Sequence, residues 1–143
     1  MAASIRVLVV DDFEPFRRVI RSILQNNWDC QSILEASDGA EAVKLAQELQ
    51  PDLVLLDIGL PMLNGIDAAR QIREFSPKSK VLFVSENRSW DIAQQALSTG
   101  AGGYVVKSDV GSELVTAVNA VLRGETFIGS RFAGHDSTRT SDG

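Results

Sequence analysis

Several residue types that mark large classes of protein are scarce in this chain of 143 residues. With a single cysteine, Cys30, the chain cannot form an internal disulfide, which fits a reducing compartment. Its single histidine, His135, is too isolated along the chain to belong to a histidine-rich metal cluster. No apolar run reaches the length of a membrane span, and no signal peptide is recognised before the first apolar run. We therefore expect a cytoplasmic protein without a membrane partner.

Positive charge is also in short supply. The chain has 14 Lys and Arg residues against 19 Asp and Glu residues, which gives a formal net charge of −5. This balance argues against a general attraction to nucleic acid or anionic lipid, so we expect no nucleic acid binding by this segment itself. The hydrophobic content of 44% is ordinary for a globular protein, and the length suits one domain with a sizeable core.

What the chain does contain is a series of short apolar runs separated by segments of helical period. The pattern predicts five strands alternating with five helices, and hence a doubly wound α/β fold around a parallel sheet. The first helix carries Val19 on its predicted inner face, and the third carries Phe75. The predicted helices span about 13–25, 38–49, 66–75, 89–100 and 111–123.

The last twenty residues differ in composition from the rest. We expect the folded domain to occupy residues 4–124 and residues 125–143 to form a tail or linker stub, largely disordered at its end. Phe127, Ile128 and Phe132 could still touch the domain, whereas residues 134–143 are rich in Ser, Thr, Asp and Gly and have nothing to bury.

Four of the apolar runs end on polar residues that can handle a phosphoryl group. The first runs into Asp11 and Asp12, the third into Asp57, the fourth ends at Ser85 and the fifth at Lys107. Ligands of open α/β sheets bind beyond the carboxyl ends of the strands, so these side chains are expected in one crevice. Three carboxylates, a hydroxyl and an ammonium suit Mg²⁺-assisted transfer of phosphate onto an aspartate.

Simpler interpretations of these residues remain open. Asp11 or Asp12 could cap the first helix, since Asp is a good N-cap and favours the positive helix end. At the end of its strand, Asp57 suits a nucleophile, a third metal ligand or a loop cap. Tyr104 is either a partly buried aromatic with its hydroxyl in water or a rotameric switch. The acidic pair on a neighbouring strand makes nucleophile and metal ligands the favoured interpretation.

The polar strand ends also belong to a longer pattern. The chain contains, in order, Leu8-Val9-Val10-Asp11-Asp12, Leu55-Leu56-Asp57, Leu60-Pro61, Asn64-Gly65, Val84-Ser85 and Gly103-Tyr104-Val105-Val106-Lys107. Together these segments closely resemble the receiver domains of bacterial two-component response regulators, over about residues 4–124. The segment from 103 to 109 further resembles the subfamily that carries a C-terminal helix-turn-helix module.

The resemblance implies a flavodoxin-like three-layer sandwich with five helices around a five-stranded sheet of order 2-1-3-4-5. It implies that Asp57 accepts a phosphoryl group from a sensor histidine kinase or a phosphotransfer protein. Asp12, Asp57 and the backbone carbonyl of Gly59 then bind Mg²⁺ directly, and Asp11 acts largely through water. Lys107 neutralises charge beside the phosphoryl group.

The resemblance also implies a switch and an output. Ser85 and Tyr104 match the switch pair, in which the hydroxyl moves toward the phosphoryl group and the ring turns inward. This motion reshapes the face built from the fourth helix, the fifth strand and the fifth helix, and makes a homodimer on phosphorylation possible. Such a protein catalyses only its own phosphotransfer and slow dephosphorylation, so we do not expect an enzyme that turns over other substrates.

Two positions depart from the family pattern. Ser108 follows the lysine where the family commonly has a proline in a cis peptide, so we expect a trans peptide and a different loop geometry. Glu86 follows the switch hydroxyl where a small residue is usual, and its carboxylate could narrow the site or repel a phosphodonor.

Two other functions remain as alternatives. A degenerate receiver would serve in dimerisation or docking without phosphorylation, and the departures at Glu86 and Ser108 lend it some support. An aspartyl-phosphate phosphatase would need a second carboxylate two residues after Asp57, where this chain has Gly59. No helix-turn-helix pattern follows Gly124, which leaves a stand-alone receiver or a receiver that precedes a DNA-binding module.

Overall fold

The fold was determined as a computed structural model, which describes residues 4–134. Residues 135–143 of the predicted tail, with His135, lie outside the described residues. The six strands are β1 (Ile5–Val10), β2 (Cys30–Ala36), β3 (Leu53–Leu56), β4 (Lys80–Ser85), β5 (Gly103–Val106) and β6 (Phe127–Ile128). The five α-helices are α1 (Glu14–Asn27), α2 (Gly39–Leu49), α3 (Gly65–Phe75), α4 (Trp90–Leu97) and α5 (Val110–Leu122).

All six strands pair in parallel, in the order β2-β1-β3-β4-β5-β6. The predicted order 2-1-3-4-5 is therefore confirmed, with one strand added at the β5 edge. That strand lies in the segment assigned to the tail, where the amide of Phe127 donates to the Gly102 carbonyl at 2.9 Å. Two residues are too few to produce an alternation pattern. Their pairing depends on a free edge of β5, which only the folded sheet provides.

The sheet is covered on both faces, so β3 and β5 are buried along their whole length. Alternate residues of each strand face opposite layers. Val7 and Val9 pack with α1 and α5 on one side, whereas Leu8 and Val10 pack with α2, α3 and α4 on the other. This is the predicted three-layer sandwich. Among the described residues, no helix is both long and apolar enough to cross a bilayer.

Helix ends and faces depart from the sequence expectations in small ways. α4 ends at Leu97, three residues before the predicted stop, because the chain turns through Gly100 at a φ of 93°. Val19 and Phe75, both predicted to face inward, are 48% and 42% exposed. Both predictions were wrong because the layer beneath a helix covers only the centre of its apolar stripe. In α1 that centre is formed by Ile20 and Leu24.

Candidate functional site at the carboxyl ends of the strands

The structure brings the predicted strand-end residues into one cleft. β1 and β3 are neighbours with Val10 opposite Leu56, so the residues that follow them, Asp11 and Asp57, lie side by side. A cleft of about 460 Å³ opens above them. It is lined by Asp12, Phe13, Asp57, Ile58, Gly59, Ser85, Glu86, Asn87 and Lys107.

The three aspartates form a compact group of oxygen donors. One carboxylate oxygen from each of Asp11, Asp12 and Asp57 lies within 4.8 Å of the others. Asp11 and Asp57 are buried and Asp12 is exposed. Hard oxygen donors at this spacing fit a Mg²⁺ ion, which binds one or two carboxylates and retains several waters. Asp11 also accepts a hydrogen bond from the Phe13 amide at 2.9 Å, so it orders the entry into α1 as well.

Lys107 holds the two buried carboxylates together. Its Nζ lies 2.6 Å from Oδ2 of Asp11 and 3.2 Å from Oδ2 of Asp57. The ring of Phe16, on α1, covers the same ammonium at 4.7 Å from its centroid, a cation–π distance. The lysine thus neutralises carboxylates that would otherwise repel each other in a partly desolvated site.

Burial and neighbouring charge shift the ionisation of this group. Burial raises the pKa of Asp57, and the nearby Asp11 charge raises it further, while Lys107 pulls it down without cancelling the rise. Burial lowers the pKa of Lys107, but its hydrogen bond to Asp11 and the two carboxylate charges outweigh that effect, so the pKa ends above its ordinary value. The lysine is therefore held in its charged form, whereas its surroundings destabilise the charged form of Asp57.

The loop after Asp57 is fixed by close backbone contacts. Oδ1 of Asp57 accepts from the Ile58 amide at 2.8 Å, and the Gly65 amide donates to the Ile58 carbonyl at 2.7 Å. A Cβ at Gly65 would lie 1.9 Å from the Asp57 carbonyl oxygen, so glycine is required there. Asn64 caps α3 by accepting from the Asp67 amide at 3.0 Å. The Asn-Gly pair therefore anchors the backbone that carries Asp57.

Ser85 and Tyr104 are joined through a residue that the sequence did not single out. The Asn87 amide donates to Oγ of Ser85 at 3.1 Å, and the Asn87 carbonyl accepts from the Tyr104 hydroxyl at 2.8 Å. The Tyr104 residue is 0% exposed, so the interpretation of a wet hydroxyl is wrong. The Tyr104 ring is thus part of the buried core on the α2, α3 and α4 side of the sheet.

The two departures from the family pattern also have places in the structure. Glu86 is exposed and lines the cleft with Asp57, so its charge faces incoming anions. The peptide before Ser108 is trans, as expected, and the chain from Lys107 to Asp109 forms a short 3₁₀ turn that leads into α5. Gly59 lines the cleft without a side chain, which removes the second carboxylate that a phosphatase would need.

Arg17, on α1, supports the acidic group, and the sequence did not single it out. Nη1 of Arg17, on α1, donates to the Asp11 carbonyl at 2.7 Å, and its Nε donates to Glu35 at 2.7 Å. Arg21 binds the same Glu35 carboxylate at 2.6 Å, and both arginines hold the pKa of Glu35 below its ordinary value. An arginine beside the apolar face of an amphipathic helix could have signalled this role, but its partners lie 6 and 18 positions away.

Comparison with known proteins identifies the class. Residues 7–119 match the response regulator receiver domain, so the chain belongs to that family. It is 38% identical over 134 residues to the transcriptional regulatory protein LiaR of Bacillus subtilis, covering 91% of this chain and 62% of LiaR. It is 41% identical over 118 residues to protein CcdB of the same species, covering 82% of this chain and 97% of CcdB.

A solved structure agrees with this assignment and with the predicted subfamily. A LuxR-family two-component response regulator from an Aurantimonas species has a TM-score of 0.89 and 31% identity. The match covers 97% of this chain and 99% of that one. The chain spans 53%, 62% and 60% of the length of three longer curated relatives. The chain is therefore a receiver domain of the kind that acts in two-component signalling.

Proposed function

We propose that Asp57 is the phosphoryl acceptor of this receiver and that a phosphohistidine on a sensor histidine kinase or phosphotransfer protein is the donor. A carboxylate oxygen of Asp57 forms a bond to phosphorus while the bond from phosphorus to the imidazole nitrogen breaks, and the electron pair stays on that nitrogen. A proton already on the other ring nitrogen keeps the departing imidazole neutral, so the products are an acyl phosphate on Asp57 and a neutral histidine. Dephosphorylation is the slow attack of water on the same phosphorus, which breaks the bond to the Asp57 oxygen, restores the carboxylate and releases inorganic phosphate.

One observation carries this proposal: Asp57 is a buried carboxylate at the floor of an open cleft, held between Lys107 and two further aspartates. Its raised pKa marks an anion that is poorly stabilised at rest. Transfer of a phosphoryl group moves the negative charge outward into the cleft, where Lys107 can pair with a phosphoryl oxygen. An aspartate that only capped a loop would not need a lysine and two further aspartates beside it.

The acidic residues also provide the metal site. Asp12, Asp57 and the Gly59 carbonyl would hold Mg²⁺ directly, and Asp11 would act through water. When bound, the ion neutralises charge on the phosphoryl oxygens. Asp11 keeps its contact with Lys107, which leaves the exposed Asp12 as the member of the group free to turn toward a cation.

Ser85 and Tyr104 are proposed to read the phosphoryl group. Ser85 lies in the cleft and can donate its hydroxyl to a phosphoryl oxygen, and Asn87 links that hydroxyl to Tyr104. The buried position of the Tyr104 ring supports an equilibrium that already favours the signalling state, and contacts to a phosphoryl group would shift it further in that direction. The output is the face built from α4, β5 and α5, where a homodimer could form.

The direct test is chemical labelling with acetyl phosphate and Mg²⁺. We expect one phosphoryl group per chain, stable in acid and released by hydroxylamine, and we expect Asp57→Asn to abolish it. Asp91→Asn is the matched control because it removes an exposed carboxylate on α4, and it should be labelled like the wild type. An unchanged adduct in Asp57→Asn would show that another residue is the acceptor.

A further inference from the structure

The short segment after α5 packs against the proposed switch residue. β6 and the 3₁₀ turn Ser130–Phe132 bring Phe132 into the core, where it is 2% exposed. Its ring lies 5.7 Å from the Tyr104 ring in an edge-on arrangement, and 5.6 Å from the ring of Trp90 on α4. Aromatic pairs in such geometry add to the free energy of simple burial. Phe132 therefore forms one wall of the site that Tyr104 occupies.

The backbone of the segment is attached to the same strand. The Gly129 amide donates to the Tyr104 carbonyl at 3.0 Å, so Tyr104 meets the segment through both its ring and its main chain. On the far side of the ring, the Tyr104 hydroxyl reaches the Asn87 carbonyl, whose amide binds Ser85. An unbroken series of contacts thus runs from Phe132 to the edge of the cleft.

Polar contacts fasten the segment to the turn that follows Lys107. The Arg131 guanidinium lies 3.1 and 3.2 Å from the two carboxylate oxygens of Asp109 and 3.4 Å from Oγ of Ser108. The Ser130 amide donates to the Glu113 carboxylate at 3.1 Å. Ser108, where the family commonly has proline, thus takes part in holding this segment.

We propose that Phe132 is a positioning residue for Tyr104, and that the docked segment 127–132 holds the switch ring inward and favours phosphoryl binding. Without Phe132 the site of the ring would be open on one side, and the outward rotamer would gain population. Because coupling is reciprocal, a phosphoryl group at Asp57 would in turn strengthen docking of the segment. This second half of the inference rests on the proposed function.

The test uses the fact that Tyr104 is the only tyrosine in the chain. Incorporation of 3-fluorotyrosine gives a fluorine NMR signal that reports this ring alone, and its shift between H₂O and D₂O measures solvent exposure. We expect a buried signal in the wild type, an added exposed signal in Phe132→Ala, and an intermediate result in Phe132→Leu, which keeps most of the apolar volume.

Phe127→Ala is the matched control. Phe127 lies in the same segment but packs on the opposite face of the sheet, against the α1 and α5 layer, so Phe127→Ala removes an apolar side chain of equal size while Phe132 stays against the Tyr104 ring. We expect its fluorine signal to stay buried. Circular dichroism checks that each variant is folded. If Phe132→Ala does not fold, the fluorine signal of Phe132→Leu tests the role of Phe132 instead.

The second measurement is titration with beryllofluoride and Mg²⁺, which mimics the acyl phosphate. We expect Phe132→Ala to bind at least about fivefold more weakly than wild type, the lower end of typical coupling. We expect Phe127→Ala to bind normally. A buried Tyr104 signal in folded Phe132→Ala would overturn the inference, as would equal exposure in Phe127→Ala. Failure of the wild type to bind would overturn the proposed function, and the fluorine signal alone would then decide the role of Phe132.

Discussion

Replacing Lys107 by Met tests whether the acidic group depends on one positive charge. Methionine keeps much of the unbranched stem that packs beside Phe16 but removes the ammonium that bridges Asp11 and Asp57 at 2.6 and 3.2 Å. Two buried carboxylates, with oxygens within 4.8 Å of each other, then face each other without a counterion. The variant should be less stable at pH 7 when no metal is present.

The size of the effect follows from the geometry. Two unit charges at 4.8 Å repel by about 3 kcal/mol at an effective dielectric constant of about 20. Loss of one partner from a buried ion pair typically costs about 3–5 kcal/mol, and the open cleft reduces this through water. We expect the free energy of unfolding to fall by about 2–4 kcal/mol.

The assay is urea unfolding at pH 7, in EDTA and at rising Mg²⁺ concentration. Because Lys107 and the proposed metal would both pair with Asp57, Lys107→Met should bind Mg²⁺ more tightly and regain stability more steeply than the wild type. Lowering the pH should also shrink its deficit, because protonation of Asp57, whose pKa is already raised, removes the repulsion.

Two further variants complete the experiment. Lys78→Met removes an exposed lysine and should change the free energy of unfolding by less than about 0.5 kcal/mol. Asp57→Asn in the Lys107→Met background should restore most of the lost stability, because Asp11 is then the only buried carboxylate of the group. A Lys107→Met protein as stable as the wild type in EDTA would refute the electrostatic account of the site.

Three other predictions concern the surroundings of the site. Glu35→Gln should lower the free energy of unfolding by about 1 kcal/mol at pH 7, because two arginines of α1 hold the pKa of Glu35 low. Urea unfolding at several pH values should show that this difference from the wild type disappears as the pH falls through the lowered pKa. Gly65→Ala should slow labelling by acetyl phosphate and lower the melting temperature, because the Cβ of the new alanine would clash with the Asp57 carbonyl oxygen. An unchanged labelling rate would show that the loop can move to make room for it. Glu86→Ala should speed labelling roughly threefold at low salt, the effect of about 0.6 kcal/mol of repulsion in water, and the gain should disappear at high salt. A gain independent of salt would indicate steric rather than electrostatic exclusion.

The amino-acid sequence alone predicted the fold class and the residues of the candidate site. Buried parallel strands are uniformly apolar, so the change to a polar residue at Asp57, Ser85 and Lys107 marks both a strand end and the ligand side of the sheet. The βαβ alternation then limits the topology. The resemblance to receiver domains supplied strand order and individual roles, which periodicity cannot give.

The tertiary structure decided what depends on contacts between distant parts of the chain. The inward position of Tyr104, the link through Asn87 and the sixth strand all need partners that lie 17 or more positions away. A two-residue strand and a single aromatic have no periodic signal, so the sequence assigned Phe132 to a tail. Folding places that side chain against Tyr104 because the free edge of β5 accepts one more strand, and this pairing carries Phe132 back over the sheet.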